Sequence, residues 1–346
     1  MESIHISFNL ETLQTRGVTV DGLKYYMDCL SKLLKDRFSE VVPTQISDTA
    51  SLDRILTLHE VLSGISEISG SDRHFRIYTE SQFLSTLFVS RLALFLKDKV
   101  DEIELEPITS DDEGNPDLRI VKNNHTAYIE CKNIETSKFN NLEEHRRIFE
   151  LIENHIKVPH QISISYKSTP NEEQINTLGA GIAHLLNNVS TTGNIINNEE
   201  YEINVQIREG YGDPRLTGVM EMIMEDMNSG VRKPGHVFFE KGKTIAIHGP
   251  DIDYKKTLQA KVKDAKNQHV PGAIFITAIN SDLILGSSKD NIRHIEAMFQ
   301  PNQNTRYSSV ILANSQTLSG EGRWQTITNP YALVPLVDDI DRIFRN

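Results

Sequence analysis

Asp117, Glu130 and Lys132 are set by their own stretch of sequence to meet at one point. Two alternating segments, Asp117–Lys122 and His125–Lys132, flank Asn123-Asn124. Asn tolerates the positive φ of a tight primed hairpin turn. A two-residue loop there sets Lys122 opposite His125, Arg119 opposite Tyr128, Leu118 opposite Ile129 and Asp117 opposite Glu130. Directly opposed residues hold their Cβ atoms about 4.5–5.5 Å apart on one face, and Lys132, two positions past Glu130, projects from that face as well. Facing carboxylates repel unless something compensates. A hard divalent cation does so, since Mg²⁺ is commonly held by one or two carboxylates plus waters and substrate phosphates. The ammonium beside them can orient or deprotonate a water, or steady charge on a phosphate. The same pattern also describes a solvated hairpin with charges on its wet face.

A hairpin needs a scaffold. Thr79 and Gln82 have the spacing of a capping box and predict a helix over 80–98. Phe83, Leu84, Leu87, Phe88, Val89, Leu92, Ala93, Leu94, Phe95 and Leu96 make it apolar nearly all round, the mark of a buried helix. Glu80 stands at its first turn, where a carboxylate suits the helix dipole, on the face of Leu84, Leu87 and Arg91. Glu102–Glu106 alternates as a strand, and the loop Thr109–Gly114 leads to Asp117.

Pro116-Asp117, twelve intervening residues and then Glu130-Cys131-Lys132 resemble the signature of the PD-(D/E)XK nuclease superfamily, the restriction-endonuclease-like fold. That family's core runs α-β-β-β-α-β, with a Glu on the first helix, the Asp entering the second strand and the E-x-K on the third. Residues 79–132 fit this order. Two segments can supply the closing helix and strand: 141–157 with Gln161–Tyr166, or 254–268 with Gly272–Ile279. The later pair is preferred. Tyr254, Leu258, Val262 and Ala265 share one helical face, Lys255, Lys256, Lys263 and Lys266 occupy the adjoining arc, and Gln268 and a buried strand follow. The expected fold class is therefore mixed α/β, an α-β-β-β-α-β core with a large α/β insertion and an N-terminal helical region. Residues 1–75 form that region, 76–280 the core with its insertion at about 133–250, and 281–346 a C-terminal extension packing on the core.

The resemblance implies a metal-dependent nuclease that hydrolyses phosphodiester bonds. Asp117, Glu130, the Cys131 backbone carbonyl and Glu80 would bind Mg²⁺, with Mn²⁺ as a substitute. Lys132 would position the attacking water or stabilise developing charge. Lys255, Lys256, Lys263 and Lys266 would contact nucleic acid. DNA is the expected polymer, restriction, repair or phage defence in bacteria the expected setting, and a homodimer the expected assembly. Two alternatives stand beside this. One is a catalytically silent nucleic-acid-binding or assembly subunit on the same fold. The other is an RNA-directed nuclease switched on by a partner or nucleotide, with the insertion as sensor.

Composition bounds these readings. A chain of 346 residues with 38% hydrophobic and 24% charged residues suits a globular protein of one or two domains. No apolar run reaches a membrane span, the N-terminus shows no signal pattern, and Cys29 and Cys131 suggest neither a disulfide framework nor a zinc site. A cytoplasmic location is expected, with Cys131 a small buried hydrophobe on the face opposite Glu130. The net charge of −12 argues against a generic nucleic-acid binder, but it is unevenly spread. Residues 98–117 carry nine acids against Lys99, a net of −8, while 231–269 carry nine Lys or Arg against four acids, a net of +5. An acidic chain can therefore still present a basic face, although such lysine runs are usually a wet helix face.

Elsewhere the pattern predicts helices at 19–36, 51–67, 141–157, 172–188, 215–228 and 338–344, and strands at 161–166, 201–207, 236–247 and 309–313. Glu209–Pro214 lacks the Gly-Lys-Ser/Thr ending of a phosphate loop. Ser163 and Ser165 lack a glycine elbow, the histidines are scattered without zinc-site spacing, and Gly320–Trp324 reads as an exposed turn.

Overall fold

The computed structural model describes residues 7–46, 48–79, 82–109, 114–134, 142–153, 160–166, 171, 173–177, 179–181, 192–198, 203–209, 217–225, 232–249, 254–280, 288–314 and 324–345. The chain divides into two compact units, Met1–Ile134 with Leu258–Asn346, and Glu135–Thr257.

The first unit opens with β1 (Ser7–Phe8), which pairs in parallel with β2 (Gln45–Ile46). Around them lie α1 (Leu10–Thr15), α2 (Val20–Leu34), α3 (Phe38–Val41), α4 (Thr49–Ile65) and α5 (Ser71–Arg76). The two long helices start where a side chain caps a bare amide: Thr19 Oγ1 accepts from Gly22 N at 3.0 Å, and Asp48 Oδ1 from Ser51 N at 2.7 Å. Each presents its i, i+3, i+4 residues to the core, Leu23, Met27, Leu30 and Leu34 from one, and Leu52, Ile55, Leu62 and Ile65 from the other. Helix α6 (Phe83–Leu96) follows, then β3 (Glu102–Leu105), β4 (Leu118–Lys122) and β5 (His125–Asn133). The sequence expects α6 to begin at 80. Thr79 Oγ1 does accept from Gln82 N at 3.3 Å, but Gln82 is itself the N-cap, at φ −110 ψ 4, so the helix starts one turn later.

The second unit contains α7 (Leu142–Glu153), β6 (His160–Tyr166), β7 (Thr192–Asn198), β8 (Ile203–Glu209), β9 (Gly218–Glu225), β10 (Arg232–Glu240) and β11 (Lys243–His248). They build a six-stranded sheet in the order β7-β8-β6-β11-β10-β9. Only β6 and β11 pair in parallel. Ile148, Ile152, Ile162, Ile164, Phe238, Ile245 and Ile247 form its core, and Phe149 stacks on Phe238 with centroids 4.7 Å apart. Two expectations are corrected here. Of the segment 215–228, rich in the strong helix formers Met and Glu, Gly218–Glu225 is the strand β9, paired along its length with β10, and residues 215–216 and 226–228 lie outside the described residues. Its period of two, with Met at 220, 222 and 224, is the strand signal. The segment 236–247 is a hairpin of two strands, because Lys241 and Gly242 both take positive φ, 48° and 84°. Of the helix expected at 172–188, residues 173–177 and 179–181 are helical, and the remainder lies outside the described residues.

The chain continues through α8 (Tyr254–Ala265), β12 (Ile274–Asn280), α9 (Ser288–Glu296), β13 (Ser309–Ala313), β14 (Gln325–Thr328) and α10 (Asp338–Arg345). The first unit's sheet runs β14-β13-β12-β5-β4-β3, with β12 parallel to β5 and β13, and the β3–β4, β4–β5 and β13–β14 pairs antiparallel. Residues after 280 thus extend the sheet by two strands. One sheet face (Leu118, Ile120, Ala127, Ile129, Cys131, Ile274, Ile276 and Ala278) belongs to a single apolar core with α2, α4 and α6. Helix α8 buries Leu258, Val262 and Ala265. Trp324 is corrected from an exposed turn to a core residue. It is 6% exposed, with its ring centroid 5.0 Å from Phe95 and 5.8 Å from Phe344. Polar neighbours in sequence hid an indole that long-range contacts bury. No described helix is long and apolar enough to cross a membrane.

Candidate active site

The hairpin forms with the expected register: Lys122 pairs with His125, Arg119 with Tyr128 and Leu118 with Ile129. Asn123 and Asn124 supply the turn at φ 48° and 65°, and Asp101 steadies it by accepting from Asn123 N at 2.6 Å. Asp117 stands one residue before β4 and Glu130 inside β5. Glu130 follows Ile129, the partner of Leu118, so the two acids stand across the hairpin from each other.

Asp117 Oδ2 accepts the Cys131 backbone amide at 2.6 Å, so the Asp117 carboxyl is locked to the strand that carries its partner. Burial, and then the charge of Glu130, push the Asp117 pKa well above its ordinary value. Burial likewise raises Glu130, to about 7, against the opposing pull of Lys132. Lys132 Nζ lies 2.9 Å from Glu130 Oε1 and 3.2 Å from Asp264 Oδ2. Burial alone would lower the lysine's pKa, but Glu130 and Asp264 raise it. The ammonium is therefore retained. Cys131 is buried in the apolar core on the other sheet face.

The Glu130 side chain is 7% exposed, and its Oε2 has no hydrogen-bond partner. An unmatched buried carboxylate oxygen is costly. On the neighbouring strand Thr277 pairs with Glu130, and its buried Oγ1 is unmatched as well. Among the described residues no three His, Cys, Asp or Glu side chains form a metal-holding group. The donors present are two carboxylates, one with an orphaned oxygen. That set suits Mg²⁺, which takes most of its remaining ligands from water.

Three residues outside the set expected to bind metal or act in catalysis help to build the site, one of them, Gln268, already marked by the closing helix-and-strand pattern. Asp264 on α8 anchors Lys132. Gln268, past the end of α8, accepts the Asn115 amide at 2.7 Å, and Gly114 lies so close to Gln268 that a Cβ there would come within 2.2 Å of its Cα. The loop entering Asp117 is thus pinned. Glu106, just beyond β3, donates its N–H to the Asp117 carbonyl at 2.9 Å. Nothing in local spacing announces these contacts; only the clustering of acids over 98–117 hinted at Glu106. Other acids in that run are paired with cations: Asp101 with Lys122, Glu102 with Arg119 and Glu104 with Arg73.

Glu80 lies outside the described residues, as does the side chain of Lys255. Lys256, Lys263 and Lys266 are exposed. Lys263 and Lys266 belong to the first unit and flank Asp264 in sequence.

Comparison with family models, curated proteins and solved structures finds no match to this chain.

Proposed function

We propose that the chain is a metal-dependent nuclease that hydrolyses phosphodiester bonds, with DNA as the expected polymer. The carrying observation is the pair Asp117–Glu130, both buried and with raised pKa values, beside the Lys132 ammonium and an orphaned carboxylate oxygen. The order α6, β3, β4, β5, α8, β12 supports the resemblance to the PD-(D/E)XK core, as does the place of Asp117 at the mouth of β4. Asp117 and Glu130 would hold Mg²⁺, with the Cys131 carbonyl as the backbone donor that the resemblance adds. The ion supplies Lewis acidity, lowers the pKa of bound water and templates the phosphate.

The protein's own groups have distinct tasks. The Cys131 amide fixes the Asp117 carboxyl, so its remaining oxygen keeps a set direction. Lys132 carries its charge at the edge of the pair, where it can orient a water or neutralise a phosphate oxygen. Lys263 and Lys266 offer phosphate contacts. Asp264 holds Lys132 at rest, and this second anchor favours a partner- or nucleotide-activated enzyme over an inert subunit as the runner-up.

The test is cleavage of supercoiled plasmid, linear duplex, single-stranded DNA and RNA, in Mg²⁺, Mn²⁺ or EDTA, by wild type and by Lys132→Ala. Metal-dependent cutting is expected from wild type, with a loss of at least about a hundredfold in the variant. Equal cutting by both would remove Lys132 from the site. No cutting by either, with or without added nucleotide or cell extract, would leave the silent subunit.

A further inference from the structure

The end of β3 is clamped in a way that sheet pairing does not require. Glu106 takes φ 47°, a left-handed conformation uncommon for a non-glycine residue and often found where surroundings over-determine a functional position. Arg73 holds its backbone: Nε donates to the Glu106 carbonyl at 3.0 Å, while Nη2 reaches the Leu105 carbonyl at 3.3 Å and the Glu104 carboxylate at 3.0 Å. Gly70 makes room, since a Cβ there would stand 1.8 Å from the Leu105 carbonyl oxygen.

The Glu106 carboxylate is held as well. Its Oε1 lies 2.8 Å from His74 Nδ1, and His74 is 0% exposed. His74 Nε2 lies 2.8 Å from Ser90 Oγ, and Ser90 Oγ lies 2.7 Å from the Tyr78 hydroxyl. With the proton on Nδ1, His74 donates to Glu106; the Ser90 hydroxyl, also 3.1 Å from the Thr86 carbonyl, and the Tyr78 hydroxyl close the chain behind it. A serine, a histidine and a glutamate in that order suggest a nucleophilic triad, but Ser90 and Tyr78 are fully buried, beyond reach of any substrate. The chain instead ends on a residue that stands across from Asp117, since Leu105 pairs with Leu118 and the Glu106 N–H donates to the Asp117 carbonyl at 2.9 Å. Three acids brought to one edge of the sheet suit a divalent cation among them. The buried, unmatched Glu130 Oε2 points independently to a ligand at the same place.

We propose that Glu106 is the third acid of the site: held by the Tyr78–Ser90–His74 chain, it accepts hydrogen bonds from the water shell of the divalent cation carried by Asp117 and Glu130. His74, Ser90 and Tyr78 are positioning residues. This rests on the metal-binding part of the nuclease reading. An outer role agrees with the lack of a three-side-chain metal group among the described residues, and with the habit of Mg²⁺ to keep several waters.

The experiment is calorimetric titration of the full chain with Mg²⁺ and with Mn²⁺, beside metal-free thermal unfolding, for wild type, Glu106→Gln, Tyr78→Phe and Glu130→Gln. Gln at 106 still accepts from His74, so metal-free melting should match wild type, while metal affinity falls about 10- to 100-fold, the range for outer-shell partners. Tyr78→Phe, which cuts the chain at its far end, should weaken binding less. If wild type and Glu130→Gln bind alike, or neither binds, the metal reading itself fails and takes this inference with it. If Glu130→Gln is impaired while Glu106→Gln binds as wild type does, the nuclease reading survives and Glu106 is only a clamp between α5 and β3.

Discussion

Glu130 is held between a lysine that favours its charge and an acid that opposes it. Burial decides the contest and raises its pKa from 4.5 to about 7. The folded state therefore binds this proton more tightly than the unfolded chain does. The resulting stability is fully present below the unfolded value and is lost as pH rises through about 7. The shift corresponds to roughly 3 kcal/mol at most. In EDTA the first unit should be less stable at pH 8 than at pH 5. Glu130→Gln should remove most of that loss and be the more stable protein at pH 8 by roughly 1–3 kcal/mol. Denaturant unfolding followed by the fluorescence of Trp324, which lies in the first unit's core, measures it. Equal stability of wild type and variant at pH 8 would show that Glu130 is not strained. Added Mg²⁺ should restore wild type alone and should displace the proton that Glu130 retains near neutral pH, a release visible when the titration is repeated in buffers of different ionisation enthalpy.

At the scale of elements, the hairpin and α8 behave differently. The hairpin is held by its own turn, by β3 and β12 on either side and by the Asp117–Cys131 bond. It is a rigid carrier. Helix α8 buries Leu258, Val262 and Ala265 and leaves Lys263 exposed, with Lys266 exposed just past its end. Lys263→Ala with Lys266→Ala should weaken duplex binding roughly evenly across sequences. It should also reduce the slope of log affinity against log salt by about one unit for each phosphate left without its lysine. The salt series is read by fluorescence anisotropy. An unchanged slope would make α8 an ordinary wet helix. Neither substitution removes buried area, so stability should move by less than about 0.5 kcal/mol.

At the scale of the molecule, the two units carry opposite responses to acid. In the second, His145 is 1% exposed, with Nδ1 2.8 Å from His236 Nδ1 and Nε2 2.8 Å from the Tyr166 hydroxyl. Burial first, then His236 and His248, lower its pKa from 6.5 to about 3. Burial lowers His236 too. Here the folded state binds protons more weakly than the unfolded chain. The stability is fully present above the unfolded value of 6.5 and is lost as pH falls toward about 3, an effect of about 2 kcal/mol by pH 5. Between pH 7.5 and pH 5, hydrogen-exchange protection relative to the intrinsic rate at each pH should fall in β6, β10 and β11 while it rises in β4 and β5. Parallel changes in both units would refute this assignment of the titrating groups.

Sequence alone sufficed for the hairpin. Asn-Asn, a period of two on each side and a turn that sets register are all local, so counting residues placed Asp117, Glu130 and Lys132 together and Cys131 on the opposite face. The same held for α2, α4, β13 and α10, where caps and apolar spacing lie within the element. Tertiary structure decided the rest. Met-rich β9 has helix-forming residues and becomes a strand because β10 pairs with it. Trp324 has polar neighbours and enters the core because Phe95 and Phe344, far away in sequence, meet it there. Asp264 meets Lys132, Gln268 meets Asn115, and Glu106 meets Asp117 with His74 behind it, only once α8, β3 and α5 have packed. Local pattern encodes which way a side chain faces, but the partners that set a buried charge come from distant parts of the chain, and desolvation exists only after those parts have closed around it.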